Sequence, residues 1–202
     1  RMTRMKNGLG QALLRVRIGR VWWLSALFLL VTTAAIQAGD FTYTTNSDNT
    51  ITITDYTGAG GAVVIPGAID GLPVTSIGIS AFQFCASLTS VKIGNSVTNI
   101  GNFAFSFTSL TVITVDALNP IYCSMDGVLF NKSQTTLIQY PPGKAGSYTI
   151  PDSVTSIGDW AFYCCISLTS ITIPDSVTSI GDWAFCYCIS LTSITIPDSV
   201  NS

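Results

Sequence analysis

The 202-residue chain contains no histidine and no glutamate. The missing imidazole takes away the commonest general base and the commonest metal ligand together. Arginine is absent beyond Arg20, and only 10% of all residues are charged. Of the nine basic residues six precede position 21 (Arg1, Arg4, Lys6, Arg15, Arg17, Arg20); only Lys92, Lys132 and Lys144 follow. All eleven acids are aspartates beyond position 39, so three lysines against eleven aspartates leave that stretch at −8. An acidic body without arginine has no electrostatic footprint for nucleic acid. No C-x-x-C pair exists to start a tetrahedral metal site. Nucleophile elbow and phosphate loop are missing as well. We therefore expect no enzyme, no cofactor, no metal and no nucleic-acid partner.

What the chain does have begins at its basic end. The cluster runs into VWWLSALFLLVTTAAIQA at 21–38, with the charged region, apolar region and small-residue run of a secretory signal. Residues 1–38 are read as a signal peptide cleaved after Ala38, or as an uncleaved anchor, since a stretch of eighteen residues is just long enough to span a bilayer. Either way residues 39–202 are expected outside the cytoplasm, secreted or at the cell surface. Membrane contact is expected only through the N-terminal segment, if it stays uncleaved.

The strongest signal is repetition. PDSVTSIGDWAFYCCISLTSITI (151–173) returns as PDSVTSIGDWAFCYCISLTSITI (174–196), and a third copy begins at Pro197. Looser versions stand at 74–93 and 96–115. A period near 23 residues points to a solenoid, in which each unit buries its apolar face against the next. Leu168-x-x-Ile171-x-Ile173 ends in strand-like alternation, whereas the adjacent Ala161 and Phe162 with Cys165 fit a short helical turn. Stacking the units predicts one continuous core. The fold class is mainly β with short helical turns: a leucine-rich-repeat-type solenoid of period about 23.

The phrase resembles the BspA-like branch of the leucine-rich repeat family, with units reading roughly I-P-x-S-V-T-x-I-G-x-x-A-F-x-x-C-x-x-L-T-x-I-x-I. The likeness runs from about Val64 to Ser202. It implies an exported, surface-associated, bacterial protein of the kind implicated in adhesion. The organisation expected is an N-terminal β cap at 39–65 and repeats over 66–202. FTYTT and TITITDY read as a hairpin and AVVIP as a first rung. Within the repeats, 116–150 reads as a longer unit in which VLFN and TLIQY are strands joined by KSQT. The second unit has Gly94 for Pro, Phe107-Thr108 for Cys and one residue fewer, so an irregularity is expected there. The sequence stopping soon after Pro197 suggests a fragment of a longer protein.

Candidate sites follow from repeat position. Trp160 and Trp183, with Phe103 at the same place and Tyr163 and Tyr187 beside them, predict an outward aromatic column suited to sugar rings or a protein partner. The plainer reading is that the indoles only seal the groove between rungs. Ser170, Thr172, Ser193 and Thr195, in line with Ser90/Lys92 and Val112/Thr114, predict a hydroxyl stripe on the inner sheet, either a recognition face or a β-prone one. Cys85, Cys165 and Cys188 share one apolar position and read as buried thiols; Cys164 and Cys186 read as outward and able to pair. Asp152, Asp159, Asp175, Asp182 and Asp198 read as turn residues.

The resulting expectation is a non-catalytic exported interaction module, engaged in cell-surface adhesion or in binding an extracellular protein or glycan. The alternative is a purely structural spacer array in a larger surface protein.

Overall fold

A computed structural model describes residues 38–201, and the segment read as a signal or anchor lies almost wholly outside them. A 3-10 turn (Ala38–Asp40) leads into β1 (Phe41–Thr45) and β2 (Ile51–Tyr56), an antiparallel hairpin. β3 (Gly61–Val64) follows, then β4 (Ala68–Ile69) and β5 (Leu72–Ile77), a second hairpin. Its turn is Asp70-Gly71, both at positive φ (51° and 80°), as a two-residue hairpin loop with the right twist demands.

The repeats add two strands in each of three units, four in the longer unit and one in the copy at 174–196. The first contributes β5 and β6 (Leu88–Ile93), the second β7 (Asn99–Ile100) and β8 (Val112–Val115). β9 (Tyr122–Met125), β10 (Val128–Asn131), β11 (Thr136–Gln139) and β12 (Gly146–Thr149) make up the longer unit. β13 (Ser156–Ile157), β14 (Leu168–Thr172) and β15 (Ser179–Ile180) belong to the two near-identical copies. Parallel ladders β2-β5-β7 and β11-β13-β15 line one side, while β3-β6-β8 and β12-β14 line the other.

The hydroxyls of SVTSI explain why that phrase recurs. Thr178 Oγ1 donates to Thr155 C=O (3.2 Å), Ser176 Oγ to Val154 C=O (2.8 Å), Ser199 Oγ to Val177 C=O (2.7 Å) and Ser179 Oγ to Ser156 Oγ (2.9 Å). Each copy thus supplies donors whose acceptors are in the copy before it. The glycine after Ile does the same by being small: a Cβ on Gly101 would stand 2.5 Å from the Ile79 nitrogen.

The expectation of one continuous core is corrected. Two clusters form, divided by β10. Leu129 points into the first, with Ile53, Phe82, Phe105 and Leu110; Val128 and Phe130 point into the second, with Leu137, Phe162 and Leu168. All three β10 residues are fully buried. Strand alternation lets one strand wall off two interiors. VLFN and TLIQ do pair antiparallel, but β10 also pairs with β9 across Asp126-Gly127, a hairpin that sequence reading missed. Its tip abuts β8: Ile113 N–H donates to Gly127 C=O (2.9 Å).

Entry to this unit is organised by Asn119, a fully buried polar residue. Its amide donates to the carbonyls of Gly94 and Val97 (2.8 Å each), and its Oδ1 accepts from Ile121 and Tyr122 N–H (2.9 and 2.8 Å). Every polar atom of the side chain is paired, as burial requires.

Candidate functional site

The segment between the two strands of a unit is a run of tight turns; the one helix among the described residues is the 3-10 turn at Ala38–Asp40. In 158–166, Ala161 N–H donates to Gly158 C=O, Tyr163 to Trp160 and Cys165 to Phe162. Alternate N–H groups leave the unit: Trp160, Phe162 and Cys164 donate to the carbonyls of Asp182, Ala184 and Cys186 (2.8–3.0 Å). Ser80, Phe82 and Phe84 donate likewise to Asn102, Ala104 and Ser106. The turns therefore form a hydrogen-bonded ladder of their own.

This path needs left-handed backbone at two places per unit, and it uses bulky residues there. Ser80, Phe103, Trp160 and Trp183 have φ of 55–60°, and Phe84, Phe107, Cys164 and Tyr187 have φ of 56–63°. Such residues cost roughly 1–2 kcal/mol each in this region. The ladder hydrogen bonds and contacts between neighbouring rings offset that cost.

Those contacts join the predicted aromatic residues into one surface cluster. Trp160 and Trp183 stack in parallel (5.6 Å, 1°). Phe103 meets Trp160 at 4.6 Å and Tyr163 at 5.2 Å; Tyr163 meets Trp160 at 5.3 Å and Tyr187 at 5.7 Å. Trp183 and Tyr187 stay 63% and 60% exposed. Trp160, Phe103 and Tyr163 are half-buried. Asp159 and Asp182 flank the indoles, both exposed, and Asp159 Oδ1 accepts the Asp182 N–H (2.9 Å). Among the aromatics, partial desolvation raises the Tyr163 phenol above its ordinary pKa.

Sequence reading missed Phe84 and Phe107. They stack at 4.8 Å and 20°, and Phe107 reaches Tyr163 at 5.8 Å. The signal was the repeat register: both occupy the second left-handed position, where the late copies place Cys164 and Tyr187. Cys164, expected outward, is buried, unlike Phe84, Phe107 and Tyr187 at the same position. All six cysteines are free thiols. Cys165 and Cys188 face each other at equivalent places in adjacent units, and burial pushes the Cys165 thiol well up while its hydrogen bond holds Cys188 down.

The hydroxyl stripe is not brought together. Ser170 and Thr172 are exposed on β14 and register with Ser147 and Thr149. Ser90 and Lys92 register with Val112 and Thr114. These are two separate sheets. Ser193 and Thr195 are exposed but lie outside any strand. Among the described residues no group of three His, Cys, Asp or Glu is placed to hold a metal ion.

A family model described as a BspA type leucine rich repeat region, in six copies, matches residues 69–144 and 140–202. No curated protein matches the sequence. Among solved structures, the pneumococcal vaccine antigen PcpA is 29% identical with a TM-score of 0.57, over 65% of this chain and 33% of that one. The T. pallidum leucine rich repeat protein is 31% identical (TM-score 0.44; 82% and 62%). A leucine-rich repeat protein from Bacteroides ovatus is 28% identical (TM-score 0.48; 80% and 47%). The chain spans a third of PcpA and less than two thirds of the other two. No enzyme family is indicated.

Proposed function

The chain belongs to the BspA-type leucine-rich repeat family, and from that premise we propose that it is a non-catalytic interaction module of an exported surface protein, serving adhesion by binding an extracellular protein or glycan. The observation that carries the reading is the aromatic cluster on the turn edge. Five aromatic rings gathered side by side on one surface suit recognition, where aromatic anchors dominate the energetics. The exposed Trp183 indole can pack against the apolar face of a sugar, and the exposed carboxylates of Asp159 and Asp182 beside the indoles can accept its hydroxyls. The likeness to a pneumococcal vaccine antigen supports a surface setting.

The test is a binding screen of the full chain against glycan and extracellular-protein arrays, beside a Trp160→Ala/Trp183→Ala variant checked for folding by circular dichroism. A ligand whose affinity falls tenfold or more in the folded variant supports the reading. Retained affinity moves recognition off the aromatic edge. No ligand at all favours a spacer array, the reading supported by the near identity of 151–173 and 174–196.

A further inference from the structure

The longer unit completes its turn with fewer residues than its neighbours. From Ile157 to its Leu168 the late copy spends eleven residues; from the register-equivalent Leu137 to Gly146 the longer unit spends nine. Its arc, Tyr140-Pro141-Pro142-Gly143, keeps Tyr140 in the core position of Phe162, where the rings stack at 5.1 Å. It touches the flanking backbones at two points. Tyr140 N–H donates to Ala161 C=O (2.7 Å) and Gly143 N–H to Leu110 C=O (2.8 Å). Outward of these bonds, the turn at 102–109 and the turn at 159–167 face each other with no turn between them.

The result is a groove of about 520 Å³. Pro142 and Gly143 floor it, Phe107 and Ser109 form one wall, and Cys164 and Ile166 form the other. At the far end the rings of Phe103, Trp160 and Tyr163 close over the short arc. Phe107 and Ile166, 39% and 52% exposed, make apolar lips, and no charged side chain lines the cavity.

The walls are polar in a directional way. In complete stretches of the ladder Phe84 N–H donates to Ser106 C=O, and Cys164 N–H to Cys186 C=O. Phe107 occupies the same position, so its N–H points toward the missing turn, yet it makes no hydrogen bond among the described residues. Opposite it, Tyr163 C=O holds the place of the accepting Ser106 and Cys186 carbonyls and receives only the weak Cys165 thiol at 4.0 Å. A donor on one wall thus faces an acceptor on the other. Adjacent strands lie about 4.8 Å apart, so a gap where one layer is skipped has the width for one extended chain. That is the geometry of strand addition, in which main-chain bonds supply affinity and pockets for alternate side chains supply choice.

We propose that this groove binds a short extended peptide segment of a partner protein, taken up in place of the missing turn. Main-chain groups of the peptide bond Phe107 N–H and Tyr163 C=O. An uncharged, small or apolar side chain rests on Pro142-Gly143 between Phe107 and Ile166. Ions and phosphates have no charged partner there. The inference rests on the reading of the chain as an interaction module only in that its partner is a protein; it names a second site, beside the exposed indoles.

The probe is a bead-displayed library of random seven-residue peptides, screened against the full chain. Selected peptides are then measured free in solution. Two plugs enter from opposite walls, Ala86→Trp (an exposed position) and Ser167→Trp, with Trp183→Ala as the variant on the aromatic column. Binding weakened tenfold or more by each plug and unchanged by Trp183→Ala is expected. N-methylation at alternate peptide residues abolishes it, and bound peptide slows hydrogen exchange at the Phe107 amide. The proposal is overturned if no peptide is selected, if binding survives both plugs, or if Trp183→Ala removes it instead. A glycan captured on the indoles with no peptide selected leaves the module reading standing and removes the groove.

Discussion

The rings of Phe103 and Trp160 lie 4.6 Å apart although the longer unit intervenes between the two that carry them. They meet because that unit brings no side chain to the first left-handed position, so both rings lean over its shortened arc. The contact therefore joins two parts of the ladder that share few backbone bonds. A double-mutant cycle with Phe103→Ala and Trp160→Ala, read by urea unfolding, is expected to give a coupling of about 0.5–1.5 kcal/mol. A coupling near zero would mean that the rings merely share a surface.

Close approach between units depends on the glycine after Ile. A Cβ at Gly101 would meet the Ile79 nitrogen at 2.5 Å, and one at Gly181 would meet the Asp159 amide nitrogen at 2.5 Å, whereas at Gly94 nothing lies within 4 Å. Gly101→Ala and Gly181→Ala should each destabilise by about 1–3 kcal/mol through forced backbone separation. Gly94→Ala should stay within about 0.5 kcal/mol of the parent. Equal melting shifts for all three would show that the units spread at no cost.

Asn119 offers a sharper test, since its amide faces two carbonyls at 2.8 Å. Asn119→Asp keeps the size and replaces donors by a carboxylate, leaving a buried charge against acceptors. The expected loss is about 3–5 kcal/mol, measured by denaturant unfolding. Acid should reduce the loss, because protonation removes the charge and restores one donor.

The repeat period, the strand positions and the buried set were legible because each recurs with fixed spacing in 151–173 and 174–196. The left-handed backbone of Trp160 and Trp183 was not, since single-residue preference argues against bulky side chains there; stacking between units overrides it. The Asp126-Gly127 hairpin carries a two-residue turn signal of its own, so β10 pairs on both sides, with β9 and with β11. Nor did composition show that β10 divides the core, for Val128, Leu129 and Phe130 read as one apolar run and only their alternation assigns them to two interiors. The aromatic residues were found by register, and the groove beside them was hidden because it comes from residues the longer unit lacks.

Tyr140 stands where the other units place Phe82, Phe105, Phe162 and Phe185, and its hydroxyl is buried without a hydrogen-bond partner. Leaving such a group unpaired costs about 1–3 kcal/mol, so Tyr140→Phe should raise stability by up to about that amount. Burial, with a smaller contribution from Cys165, pushes the Tyr140 pKa up to about 12 from 10.0. The unfolded chain then releases this proton at lower pH than the folded one. Stability linked to Tyr140 is whole below pH 10 and drains away as pH climbs toward 12. Tyr140→Phe should therefore flatten that part of the pH–stability curve, measured by urea unfolding between pH 8 and 12, relative to the parent. A variant that is less stable at neutral pH and equally steep in alkali would show that the hydroxyl is paired and that its burial is not what the fold resists.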